Sequence, residues 1–160
     1  MLDKKTMSEL IAIVLHGGAD FVEVYSEYSK ANSVSYSNKK IETVADSVHG
    51  GVGIRAFVGT KTYFGCTSDL TPSGLRQCAE RVAQAVGSPV QRIPDFYLTE
   101  RIPTNIHPIK TMPSDVPASV RAELLRAACT KAYDYAPEIV QVSGGISSNE
   151  KNFIVANSEG

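Results

Sequence analysis

The sequence predicts an α+β fold: a mainly antiparallel sheet, or sheets, with three helices packed on one side. Three segments repeat apolar residues at intervals of three and four, the helical period. The segments between them are rich in β-branched and aromatic residues and tend to alternate, as half-buried strands do. Short polar or glycine-bearing turns join neighbouring strands, which makes the pairing antiparallel.

Residues 3–16 place Met7, Leu10, Ile11, Val14 and Leu15 on one helical stripe, with Gly17-Gly18 as the stop. Asp20 to Tyr28 reads as a strand, and Ser33 to Ser37 as a second that leads into the polar tip Asn38-Lys39-Lys40. Ile41 to Val48 resumes extended character, and Gly50 to Val58 forms a further strand with Val52, Ile54, Ala56 and Val58 on one face. Gly59-Thr60-Lys61 is a hairpin connection to its partner, Thr62 to Thr67. Asp69 or Thr71 caps the next helix, Pro72 sits in its first turn, and Leu75, Cys78, Ala79, Val82 and Val86 form its stripe.

Six of the eight prolines fall from Pro89 to Pro117, so that stretch should cross the surface as an extended connector. Residues 117–135 form the third helix, with Val120, Leu124, Ala127, Ala128 and Lys131-Ala132 on its apolar side and Ser114 or Asp115 as cap. Ile139 to Ile146 and Lys151 to Ala156 read as a hairpin about Ser147-Ser148-Asn149-Glu150. The organisation is therefore a block 1–88, a connector 89–117, and a helix plus hairpin 118–160 completing the same domain. Asn157-Ser158-Glu159-Gly160 has the composition of a turn that another strand should follow, so a fragment of a longer chain is expected.

Composition removes several classes. Sixteen basic residues against seventeen acidic ones leave a charge of −1, which gives no footprint for nucleic acid or acidic membranes. The longest apolar run, Leu10 to Leu15, is far below the roughly 18 residues of a membrane span, and the mixed-sign N-terminus is unlike a signal peptide. A cytoplasmic setting is the expectation. Cys66, Cys78 and Cys129 are odd in number and widely spaced, so they read as buried free thiols.

Catalytic motifs are missing. His16, His49 and His107 lack a Glu or second His at metal-ligand spacing, and no G-x-S-x-G elbow is present. Gly50-Gly51-Val52-Gly53 opens a strand rather than a helix, which excludes a phosphate loop and points to close backbone approach by a strand, a bulge or an added peptide. Gly51, Gly53 and Arg55 are accordingly the candidate contacts for an extended peptide or partner. Arg55 is an outer-face residue or the partner of a carboxylate.

The run Gly50-Gly51-Val52-Gly53-Ile54-Arg55-Ala56-Phe57, continuing through Thr62-Tyr63-Phe64-Gly65 and Thr67-Ser68-Asp69-Leu70-Thr71 into a helix, resembles the N-terminal domain of the TldD/PmbA family. Gly18-Ala19-Asp20-Phe21-Val22-Glu23-Val24 is similar to that family's first helix-to-strand junction, and Ile154 to Gly160 to the stretch that closes its N-terminal domain. The resemblance implies a cytoplasmic, zinc-dependent metallopeptidase whose H-E-x-x-x-H motif lies in a later, C-terminal domain. No His-Glu pair occurs here, so no catalytic or metal residue carries over and this chain is expected to be inactive alone. What carries over is a scaffold that walls a cavity for extended peptides, in a homodimer or a heterodimer with a PmbA-like subunit; the Gly-Val-Gly-Ile-Arg-Ala form favours the TldD-like branch. The other reading is a stand-alone module that binds a peptide or subunit by sheet-edge addition.

Overall fold

A computed structural model describes residues 2–104 and 106–160. Position 105, inside the expected connector, and position 1, at the head of the first block, lie outside the described residues. Helix α1 spans Lys4–His16, β1 Phe21–Ser37, β2 Lys40–Val58, β3 Lys61–Thr67 and α2 Pro72–Val86. A 3-10 turn at Pro113–Asp115 precedes α3 at Ala118–Tyr133, and β4 runs Gly144–Asn157. The strands form an open sheet in the order β3-β2-β1-β4, confirming the α+β class with three helices.

Local chemistry sets most boundaries. Asp3 caps α1 by accepting from the Thr6 amide at 2.7 Å, and all five residues of the expected stripe are buried. Thr71 caps α2 by accepting from Gly74 N–H at 3.1 Å, while Asp69 braces that cap by accepting from the Thr71 amide and hydroxyl. Gly87 closes α2 at φ +70, a left-handed cap for which glycine has no steric penalty. β1 and β2 meet at the two-residue turn Asn38-Lys39, where both φ values are positive, as a type I′ hairpin requires. β2 and β3 pair antiparallel from Val52↔Thr67 to Val58↔Lys61.

The strands are fewer and longer than the sequence suggests. The expected strands 20–28 and 33–37 are one 17-residue β1, and 41–48 and 50–58 are one 19-residue β2. Of the expected hairpin at 139–156, residues 139–143 are in no strand and the rest is a single strand, β4, with no break at Ser147 to Glu150. Polar cross-strand bonds hold these stretches extended where apolar alternation lapses. Ser148 Oγ donates to Asn32 Oδ1 at 3.0 Å, and Asn32 Nδ2 donates to Asp46 Oδ1 at 2.8 Å, linking β4, β1 and β2.

α3 is also turned from its expected phase. Arg121, Leu125 and Cys129 are buried, whereas Val120 and Leu124 are 50% and 65% exposed. Ser114 and Asp115 lie in the 3-10 turn and do not cap α3; Pro117 occupies the cap position without a side-chain bond. Arg121 ties the two helices instead, donating from Nη1 to Pro113 O at 3.2 Å and Val116 O at 2.7 Å, with Asp46 3.6 Å from Nη2. Its aliphatic stem can line an apolar face while both terminal nitrogens of its head have partners and Nε has none, which a binary pattern does not register.

Two compact units result. The first comprises the chain up to Tyr28, Gly50–Thr104 and Asn152–Gly160; the second comprises Ser29–His49 and the stretch after Thr104 up to Lys151. β1, β2 and β4 thus give residues to both, so the units are interleaved along the chain whereas the blocks 1–88, 89–117 and 118–160 are contiguous. In the first unit α1 and α2 cover Val22, Val24, Val52, Ile54 and Ala56. Among the described residues of 87–112 the connector has no helix or strand, but Leu98 is buried in this core with Ile93 and Phe96 against it, so it is more than a surface crossing. The second unit has a smaller core of Val34, Tyr36, Leu125 and Cys129.

Close packing in the first unit depends on missing side chains. A Cβ on Gly17 would stand 2.7 Å from the Ala83 Cα, which is main chain and cannot move aside. Gly17→Ala is therefore expected to lower stability by about 1–3 kcal/mol in urea denaturation, with the fold retained. Acid should act through the helix caps. The Thr71 hydroxyl and then its amide hold the Asp69 carboxyl below its ordinary range, and the Thr6 amide does the same for Asp3. A depressed carboxyl contributes stability that is present above its unfolded-state value and lost as pH falls through the folded one. Asp69→Asn should therefore flatten the stability-pH curve below the ordinary aspartate range and leave its slope near neutral pH unchanged.

Candidate functional site

The alternation that turns Val52, Ile54 and Ala56 toward the helices turns Gly51, Gly53, Arg55 and Phe57 to the opposite face of β2. Neighbouring strands of the first unit add Phe21, Glu23 and Tyr25 from β1, Phe64 and Cys66 from β3, and Phe153 and Val155 from β4. Four of the five phenylalanines thus sit on the face without helices, and the fifth, Phe96, packs on the core. Phe64 is 62% exposed and Phe153 58%.

The rings are organised. Phe21 and Phe57 lie 5.8 Å apart, tilted, and Tyr25 stacks on Phe153 at 5.8 Å. Arg55 sits among them, its Nη1 3.7 Å from Glu23 Oε1 and its guanidinium 6.0 Å above the Phe64 ring. The Tyr25 hydroxyl donates to Glu27 at 2.5 Å. Arg55, Phe57, Thr62 and Phe64 line a shallow depression of about 410 Å³.

Gly51, Gly53 and Arg55 are thus brought together on successive outward positions of one strand. Both readings of Arg55 hold at once, since it faces outward and meets a carboxylate. At Gly53 the absent side chain makes room for the chain's own Phe64, whose ring would lie 3.2 Å from an added Cβ; at Gly51 the neighbour is the Thr67 carbonyl oxygen at 3.1 Å. The aromatic set was not singled out from sequence. Its signal was available, because Phe57 shares the phase of Arg55, and Phe64 is the register partner of Arg55.

The thiols divide. Cys78 and Cys129 are buried as expected, but Cys66 is exposed, because it stands opposite Gly53 on the outward face. Burial pushes the Cys78 thiol up from its ordinary value. Among the described residues no group of three or more His, Cys, Asp or Glu side chains could hold a metal ion. Among the same residues no helix is long and apolar enough to cross a membrane.

Residues 22–86, from the second residue of β1 to the last residue of α2, match the family model described as PmbA/TldA metallopeptidase domain 1. Over residues 22–86 the chain carries the first domain of the TldD/PmbA family. It is 30% identical over 81 residues to a protein named metalloprotease TldD homolog from Haemophilus influenzae, a match spanning 51% of this chain and 17% of that one. TldE from Thermococcus kodakarensis has the same fold, with a TM-score of 0.67 and 18% identity over 97% of this chain and 35% of that one. So does a proposed modulator of DNA gyrase from Bacteroides thetaiotaomicron, with a TM-score of 0.75 and 15% identity over 98% of this chain and 37% of the other. This chain therefore spans little more than a third of those solved relatives, and the outward-facing residues of β2 and β3 lie inside the matched TldD/PmbA segment.

The two glycines should respond differently to a methyl group. Gly51→Ala presses on main-chain oxygen and is expected to destabilise by about 1 kcal/mol, whereas Gly53→Ala needs only a swing of an exposed ring and should stay within about 0.5 kcal/mol of neutral. Urea titration of the two variants tests this.

Proposed function

We propose that this chain is the scaffold and cavity-wall domain of a TldD/PmbA-type zinc metallopeptidase that degrades peptides, with the H-E-x-x-x-H residues supplied by a domain outside this chain. The TldD-like branch, a cytoplasmic setting, and pairing with a second copy or a PmbA-like subunit belong to the same reading. The observation that carries it is the match of residues 22–86 to the family's first domain. The uncovered aromatic face is in keeping with it, because a contiguous apolar surface of this kind marks an interface or a binding wall rather than a solvent face. An extended peptide laid on that face would meet rings, main chain, the Arg55–Glu23 pair and the Cys66 thiol, a surface that suits a wall.

A second reading has one observation in its favour. β4 is an edge of the sheet, and beside it lies a groove of about 640 Å³ between Phe153–Asn157 and Leu98–Pro103. Such a groove suits a stand-alone module that takes an extended segment by strand addition.

The intact mass of the protein from its own cells separates the two readings. A mass well above 17.2 kDa is expected; a mass of 17.2 kDa would overturn the peptidase-domain reading for this chain and leave the module. The purified 160-residue chain, given zinc, should hydrolyse no unstructured peptide and retain no stoichiometric zinc by elemental analysis; one zinc bound per chain would count against the assignment.

A further inference from the structure

α3 buries one face and leaves a second apolar stripe bare. Val120, Leu124, Ala127 and Ala128 follow the helical period and are all exposed, while Arg121, Leu125 and Cys129 take the inward side. Two unlike charges mark this stripe. Glu123, Ala127 and Lys131 succeed one another at intervals of four residues, so Glu123 and Lys131 stand about one turn to either side of Ala127. Both are exposed, and neither takes part in an ion pair among the described residues.

We infer that this stripe is the docking surface for α3 of a second copy of the chain, the two helices crossing antiparallel about a two-fold axis near Ala127. The charges select that arrangement. A parallel pair would set Glu123 against Glu123 and Lys131 against Lys131, whereas the antiparallel pair sets Glu123 of each copy against Lys131 of the other, twice. The side-chain volumes agree, since the small Ala127 lies at the axis and allows close approach, and Leu124 of each copy packs beside it against Thr130 of the other. One helix face is smaller than the roughly 800 Å² per partner of a standard interface, so the association is weak and concentration-dependent. The inference deepens the pairing part of the proposed function by naming the surface and choosing the second copy as its occupant.

Sedimentation equilibrium on the full chain tests it, across concentrations up to the solubility limit and at low salt. A monomer-dimer equilibrium is expected. Glu123→Lys and Lys131→Glu should each weaken it about tenfold, and the double exchange should restore it, because the pairs re-form with their signs reversed. Leu124→Asp, at a site already 65% exposed, should abolish pairing with thermal stability unchanged. A chain that stays monomeric throughout overturns the inference. A dimer indifferent to these changes also overturns it while leaving pairing itself in place, and neither outcome bears on the mass and zinc tests of the peptidase reading.

Discussion

The phase of β2 governs the first unit. The strand lies between β3 and β1, and its alternation decides at once which residues meet the helices and which form the outer face. A slip of one residue would carry Arg55 into a core of Val22, Val24 and Ala79 and expel the branched side chains that anchor it. Register is therefore strongly specified here: the buried Val52, Ile54 and Ala56 fix it from within, and the Gly59 hairpin pins it at the end, where Gly59 N–H donates to Asp20 at 2.7 Å. The outer face follows from the same alternation.

Glycine then sets how closely the layers approach. Gly17 meets Ala83, Gly65 meets Val82 and Cys78, and Gly53 accepts the Phe64 ring from the neighbouring strand. The first two draw α2 onto α1 and β3, and the third flattens the far side of the sheet. The glycines that look like a ligand loop in the sequence are better understood as contact points where main chain or a ring must come near. Their spacing at alternate positions, 51 and 53, is that of a strand face and not that of a phosphate cradle.

How much of this could be read in advance depends on the range of the forces. α1 and α2 were legible to the residue in their buried stripes, because an amphipathic helix and its cap are decided within a few positions. The β2-β3 hairpin was legible for the same reason, and so was the placing of Gly51, Gly53 and Arg55 on one side of a strand. The continuity of β1, β2 and β4 was not, since the Ser148-Asn32-Asp46 bonds join positions up to 116 residues apart. Nor was the phase of α3, where a charged residue with two carbonyl partners displaced Val120 and Leu124 from the inner side. The outer aromatic face was written in the alternation, but alternation alone does not say which face of a strand is left bare.

That bare face bears on what kind of object the domain is. Leaving a phenylalanine in water forgoes up to about 1.5–3 kcal/mol of burial per side chain, and here Phe64 and Phe153 are exposed while Phe21 and Phe57 on the same side are only partly buried. A domain shaped for stability in isolation would place charges there and bring the rings inside. Arg55 and Glu23 satisfy each other within the face, so its polar content adds little free charge to attract an ionic ligand. Its chemistry is then that of rings, aliphatic surface and accessible main chain, which suits polypeptide better than nucleotide or metal. The residues that make this surface apolar alternate along the strands with those that close the core, so one pattern fixes both.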